Sequence, residues 1–341
     1  MPTRLSTRSA LVPLLLALGA CATTVEVKPP EAPLVWPSAP DAPRIVFVQT
    51  ISRPADLGIG KGFLQRVAEV IFGASPEELV RPMAVVEVGQ TLYVADPGAR
   101  GVHRYDRRES RYRLIQAERD VPLLSPVGLA RGENDNIYVT DSALGGVFLI
   151  KPGAEFAVRV PLTEAVRQPT GIVFDAASRR LFVVDTTAHC IKVFSPEGKY
   201  LSSIGQRGEG DGQFNFPTML WRDGGRLLVT DSLNFRTQII GTDGRFISKF
   251  GRIGDSNGDA PRQKGVAADS FGHIYLVDAL LNGVQVFDQS GQLLLSMGGL
   301  GQERGEFWLP AGIFVGVGDT IYVADVYNRR VQVFRYVGGP T

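Results

Sequence analysis

The sequence predicts an all-β fold: a six-bladed β-propeller of four-stranded antiparallel blades, its ring closed by an N-terminal strand placed in the last blade. Three observations predict it. An apolar run closed by aspartate recurs six times, at Leu92–Asp96, Ile137–Asp141, Leu181–Asp185, Leu227–Asp231, Ile274–Asp278 and Ile321–Asp325, with 44 to 47 residues between successive aspartates. Each recurrence is flanked by further short alternating strands, and a period near 45 with several strands per period is the mark of propeller blades. The 39 glycines and 22 prolines among 341 residues suit a chain that turns often.

The elements follow in chain order. Arg4 and Arg8 precede an apolar run, Ala10 to Leu18, about half the ~20 residues of a membrane-spanning helix and interrupted by Pro13. This reads as a signal-peptide core over residues 1–20. The next residues, Leu18-Gly19-Ala20-Cys21, resemble a bacterial lipobox, which implies cleavage before Cys21, a diacylglyceryl group on its thiol and palmitate as part of the lipid modification. Ala22 rather than aspartate follows, a pattern similar to that of lipoproteins sent to the outer membrane. The expected address is therefore the bacterial cell envelope, with the membrane reached through a lipid anchor. Residues 21–43 carry six prolines from Pro29 to Pro43 and read as an extended tether, about 60–70 Å at ~3.1 Å per residue. The folded domain is expected over 44–341, with Cys190 as its only cysteine.

Ile45 to Ile51 is a strand with no unit of its own, and the sixth unit runs out of chain after its third strand. The first is expected to complete the second, which removes unpaired edges. Phe63 to Ile71 places apolar residues at helical spacing, so a short helix is expected near 63–72, packed on the body. Each unit then starts with a proline (Pro82, Pro126, Pro169, Pro217, Pro310), with Lys264-Gly265 in its place in unit five. The aspartate-closed strand is followed by a turn and a third strand, such as Ile191–Phe194, Val284–Phe287 or Val331–Phe334. Tight turns such as Thr242-Asp243-Gly244 lead to a fourth strand ending in glycine: Leu201–Gly205, Phe246–Gly251, Leu293–Gly298.

The run Ile321 to Phe334, Ile-Tyr-Val-Ala-Asp-Val-Tyr-Asn-Arg-Arg-Val-Gln-Val-Phe, resembles an NHL repeat. The linker Gly205 to Pro217 is similar to that family's connection between blades. The resemblance spans roughly residues 44 to 337, best in units four to six and weakest in one and two. It implies the propeller fold and no single activity, because propellers host unrelated functions.

Function has fewer pointers. A net charge of +1, from 36 basic and 35 acidic residues, supplies no pull toward nucleic acid. The six aspartates sit where strand enters turn and read as acceptors for turn amides, each worth about 1 kcal/mol. His103, His189 and His273 occupy three different places in the repeat, so they are not expected to converge on a metal. NHL-like amidating lyases use metal-binding histidines, and this chain has no aligned set to receive that role. Asp255 to Asp259 resembles half a calcium loop, but its glycine is one place early and Val266 stands where the bidentate glutamate belongs. Gly58 to Gly62 lacks the hydroxyl of a phosphate loop, and no nucleophile-elbow, zinc-helix or Ser-x-x-Lys motif occurs.

The turns after the aspartates share one face and are the expected ligand face, since loops on a rigid scaffold are where binding resides. There the sequence offers Arg100, His189, Arg236, Tyr327, Arg329 and Arg330, with Trp308 from a linker; Asn234/Arg236 and Asn328/Arg330 also fit a turn-stabilising role. Arg104, Arg107, Arg108, Arg111 and Arg113 form a basic run that reads as a solvated edge or a contact for anionic head groups. The reading is a lipid-anchored, non-catalytic binding or scaffold module for an envelope protein, glycan or small ligand. The alternative is a lyase or lactonase-type hydrolase using calcium in the central channel; no other cofactor is called for.

Overall fold

The structure, a computed structural model, describes residues 32–60, 77–118 and 121–338. Residues 1–20, the lipidation candidate Cys21 and the helix expected near 63–72 lie outside the described residues. The fold is all-β, built of antiparallel sheets stacked one on the next. In unit three the strands are Pro169–Asp175, Arg180–Asp185, Cys190–Phe194 and Tyr200–Ile204, paired in chain order. Unit four (Pro217–Asp223, Arg226–Asp231, Arg236–Gly241, Phe246–Phe250) and unit five (Gln263–Ala268, Ile274–Asp278, Gly283–Phe287, Leu293–Gly298) repeat this order.

The proline that opens a unit has a fixed register. Pro169 stands opposite Asp185, Pro217 opposite Asp231 and Pro310 opposite Asp325. A proline is tolerated there because the first residue of a strand need not donate to the ladder. In unit five Gln263 takes the place, opposite Asp278 and one residue before the Lys264-Gly265 pair expected there. The register then shifts, a bulge that turns main-chain carbonyls out of the ladder. Hydroxyls of the preceding unit donate to them: Thr186 to the Pro217 carbonyl at 2.8 Å and Thr230 to that of Lys264 at 3.0 Å.

Glycines at the bulge let the first strands of successive units touch. A Cβ on Gly265 would lie 2.7 Å from the Ala311 carbonyl oxygen, and one on Gly312 would lie 2.3 Å from that of Met83. The second contact sets unit six against unit one. Apolar side chains fill the space between sheets, as with Val284, Phe307, Ile321 and Phe334 between units five and six, or Val94, Tyr105, Ile51 and Val331 between six and one. Each such buried side chain contributes about 1.5–3 kcal/mol. Linker phenylalanines belong to this core: Phe214 and Phe307 are fully buried, and each lies where a Cβ on Gly205 or Gly298 would stand.

Unit six consists of Pro310–Val315, Thr320–Asp325 and Arg330–Tyr336, and Ile45–Ile51 pairs antiparallel with the last of these, Ile51 opposite Val331 and Phe47 opposite Phe334. Two expectations need correction. The tether does not run to residue 43: Val35–Trp36 adds a fifth strand beyond Ile45–Ile51, and the compact unit begins at Pro33. Trp36 is the cause, its ring 5.6 Å edge-on from Phe334 and packed over Gly305. Nor do units one and two form separate four-stranded sheets. The fourth strand of unit two, Phe156–Arg159, is so short that two residues pair with its own unit and two pair in parallel with Gln116 and Ala117, which joins both units in one eight-stranded sheet. Arg104, donating to the Ala154 carbonyl at 2.7 Å, and Arg113, paired with Glu155 at 2.8 Å, hold the two units together there.

Candidate functional site

All six aspartates are fully buried. Their carboxylates accept from the turn, as the sequence implies: Leu280 and Leu281 amides reach Asp278 at 2.8 and 3.0 Å. They also accept from the linker entering their own unit. The donors are the amides of Val80 and Arg81 to Asp96, Ser125 to Asp141, Arg167 and Gln168 to Asp185, Asn215 to Asp231, Arg262 to Asp278 and Trp308 to Asp325. One acid per unit thus ties together three segments. Burial alone would raise the Asp96 carboxyl, but the His103 ring and the Val80 and Ala99 amides outweigh it and hold it below the usual carboxylate range.

The candidate ligand-face residues divide into two groups. Arg236 and Arg330 are 7% and 8% exposed and do not face a ligand. Arg236 donates to Asp231 at 2.8 Å and to the Glu209, Gly210 and Gln213 carbonyls at 2.7, 2.8 and 3.0 Å. Arg330 repeats this on Asp325 and on the Gln302, Glu303 and Glu306 carbonyls at 2.7 to 2.8 Å. Asn234 and Asn328 complete the two clamps. His189 is buried too, with Nδ1 accepting from the Phe216 amide at 3.1 Å, the part that Asn282 Oδ1 plays for Leu309 at 2.9 Å. Arg100, Trp308, Tyr327 and Arg329 remain exposed on this face, and the rings of Trp308 and Tyr327 lie 5.5 Å apart.

The three histidines are held separately. His103 lies between Tyr112, at 3.0 Å from Nδ1, and Asp96, while His273 Nδ1 pairs with Asp269 at 2.7 Å beside Tyr275. Among the described residues no group of three or more His, Cys, Asp and Glu side chains is arranged to hold a metal. In the calcium-like loop, Asp259 binds Arg252 at 2.6 Å and the Ser256 amide at 3.1 Å, an ordinary turn. Burial pushes the Cys190 thiol up, away from nucleophilic use. The basic run of unit one is largely paired: Arg107 with Glu87, Arg111 with Glu109, Arg113 with Glu155.

The first strands of all six units line a central cavity of about 450 Å³, with Leu129, Val173, Met219, Trp221 and Phe314 on its wall and Arg131 and Arg222 among its lining residues. Trp221 and Phe314 meet edge to face at 5.7 Å. Val173, Trp221 and Phe314 each stand four residues after the opening proline, a periodicity that could have marked them in the sequence. Calcium takes six to eight oxygen ligands. No side chain in this lining carries an oxygen, and the two arginines are both cationic. Arg222 is paired with Asp175 at 2.8 Å. A cation in the channel would have to be held by main-chain carbonyls, since no lining side chain supplies an oxygen.

The NHL repeat family model matches residues 307–334. Comparison with curated proteins gives no match. Among solved structures, the chain is similar to a Bacteroides thetaiotaomicron structural genomics protein of unknown function, at 13% identity and a TM-score of 0.60 over 86% of this chain and 75% of that one. It is similar to virginiamycin B lyase from Staphylococcus aureus, at 14% identity and a TM-score of 0.56 over 76% and 96%. A chain of a nidogen/laminin complex matches at 15% identity and a TM-score of 0.50 over 74% of this chain and 92% of that one. These likenesses concern the fold alone, since an enzyme and a protein–protein complex share it. The chain has the fold of a β-propeller and carries an NHL repeat at residues 307–334.

Proposed function

We propose that the chain is a six-bladed propeller closed by Ile45–Ile51, held to a bacterial envelope membrane by lipid on Cys21, and working as a non-catalytic binding module whose small-molecule seat is the central channel. The pairing of Ile45–Ile51 with Arg330–Tyr336, and the seating of Gly312 against Met83, support closure. The lipobox-like Leu18–Cys21 supports the anchor.

The observation that carries the binding role is the cavity wall. Its volume falls within the range of small-ligand sites and its side chains are apolar, with Arg131 and Arg222 in the lining each already paired with a carboxylate. The ligand class that fits is a small aromatic or aliphatic body, with or without an anionic end. The alternative, a calcium-assisted lyase or lactonase in the channel, would draw its ligands from main-chain carbonyls, since the lining side chains offer no oxygen.

The test uses 8-anilinonaphthalene-1-sulfonate, an apolar anion. One saturable site per chain is expected, weakened at least tenfold by Val173→Trp, which fills the channel. Absence of saturable binding, or identical binding by the filled variant, would overturn the channel assignment. Palmitate labelling of the expressed chain, lost in Cys21→Ala, tests the anchor separately.

A further inference from the structure

The face that carries the aspartate turns shows an arrangement of charge that the channel does not use. Three positions per unit are fixed there by the buried aspartate: the linker residue whose amide it accepts, and the second and fourth residues after it. The linker position holds Arg81, Arg167 and Arg262 in units one, three and five, and Trp308 in unit six. The fourth position holds Arg100 in unit one and Arg329 in unit six, both in the left-handed region at φ 57° and 53°. Lys264, next to Arg262, is half-buried.

Among the described residues none of these six cations makes an ion pair, and five are exposed; Arg329 shares a groove with Asp56 and Glu78, and Lys264 is attracted by the buried Asp278. The aspartates beside them are buried and occupied by main-chain amides. On the opposite face Arg107, Arg131, Arg179, Arg222 and Arg226 are each paired with a carboxylate, while Arg108, Lys151, Lys199 and Arg245 are exposed without an ion pair; what sets the aspartate-turn face apart is the large apolar side chains beside its cations. Burial, and to a smaller extent the neighbouring Arg262, lower the proton affinity of the Lys264 amine against the opposing attraction of Asp278.

The second position is graded round the ring. It is Gly98, Ala143 and Thr187 in units one to three, then Leu233, Leu280 and Tyr327 in units four to six, which are 51%, 56% and 58% exposed. With Trp308, 40% exposed and against Tyr327, they make an apolar arc among the cations. Arginine, tryptophan and tyrosine together are the side chains that dominate protein–protein contacts. Sugars would use the aromatic rings but leave the two leucines without a counterpart.

We propose that this face docks a partner protein through a segment carrying several carboxylates beside large apolar side chains. The inference rests on the ring arrangement proposed above, but not on the channel being occupied. The carboxylates pair with Arg167, Arg262 and Arg329, and the apolar side chains cover Leu280, Trp308 and Tyr327. Charge complementarity steers the approach and the apolar arc holds the complex.

The probe is a fluorescein-labelled peptide of Glu-Leu-Glu-Tyr repeated three times, followed by anisotropy against the full chain at 50 mM salt. Saturable binding is expected, weakened at least tenfold by the double substitution Arg167→Glu and Arg262→Glu, and at least fivefold by Trp308→Ala with Tyr327→Ala. Both pairs leave the aspartate bonds intact, because those residues donate main-chain amides. An all-glutamate peptide of equal length should bind at least fivefold more weakly. No saturable peptide binding, or indifference to both double variants, overturns the proposal. So does binding of phosphatidylglycerol vesicles or heparin that depends on Arg167 and Arg262 while the peptide fails to bind. Titration of the same samples with the naphthalene probe reports the channel independently, so failure of one reading is not mistaken for failure of the other.

Discussion

Replacing Asp231 with alanine tests whether the aspartate ring acts on the turn alone or on three segments at once. The Asp231 carboxylate accepts from the Asn215 amide at 2.6 Å, Asn234 at 2.8 Å, Arg236 at 2.8 Å and Gln238 at 3.0 Å. A turn acceptor alone would be worth about 1 kcal/mol. Removing this one also strands the buried Arg236 guanidinium without its counter-charge, and breaking a buried pair costs about 3–5 kcal/mol. We expect a loss of about 4 kcal/mol, or a Tm lower by about 8 °C at roughly 2 °C per kcal/mol. Thermal melts by circular dichroism read the single variant, and a double-mutant cycle with Arg236→Met isolates the pair. The double variant should recover at least 1 kcal/mol relative to the sum of the singles. A loss under about 1 kcal/mol for Asp231→Ala, or strict additivity in the cycle, would refute the three-segment reasoning.

Three further outcomes follow from the same geometry. Gly312→Ala should cost more than 2 kcal/mol, on the order of the strain of overpacking, because its Cβ would stand 2.3 Å from the Met83 carbonyl oxygen, whereas Gly60→Ala, with nothing within 4 Å, should be near neutral in a urea titration. Asp96 and Asp175 have carboxyls held below their usual values, Asp175 by Ser178 and Arg222 against the opposing effect of burial. A depressed folded-state pKa gives stability that is present above the unfolded value and lost as pH falls, so the contribution of these two groups to the unfolding free energy should drop below about pH 4, while Asp325, its carboxyl pushed up by burial, contributes the opposite slope. Deleting residues 44–52 removes the strand paired with Arg330–Tyr336 and should abolish a single cooperative unfolding transition; an unchanged calorimetric melt would refute its role in closure.

Much of this fold was legible because one signal repeats. The aspartate-closed strands, the third strands and the pairing partner of Ile45–Ile51 all follow from alternation and period, which local sterics and burial dictate. Phe156–Arg159 was less legible, because a four-residue strand has too few ladder bonds to set its own partner. Val35–Trp36 was hidden among prolines, and its order comes from one tertiary contact, Trp36 on Phe334 and Gly305. The candidate site was half legible. Arg100, Trp308, Tyr327 and Arg329 lie exposed where the turn register puts them. Arg236 and Arg330 share that register but fold inward, because the carbonyls of the preceding linker offer a guanidinium four partners at once. The repeated Asn234/Arg236 and Asn328/Arg330 pairs carry that turn-stabilising role in the sequence as well. The channel wall was available in principle, since Val173, Trp221 and Phe314 share one place in the repeat.

The two-residue pairing of Val35–Trp36 on the seven-residue Ile45–Ile51 gives the N terminus a graded mechanical response. Load applied through the leader peels the short outer pair first. That yields about 35–40 Å of slack from residues 33–43 at roughly 3.4 Å each before the strand shared with Arg330–Tyr336 carries tension. A single-molecule pulling trace should show this small early extension as a separate step, and the propeller behind it would keep its shape while the attachment gives.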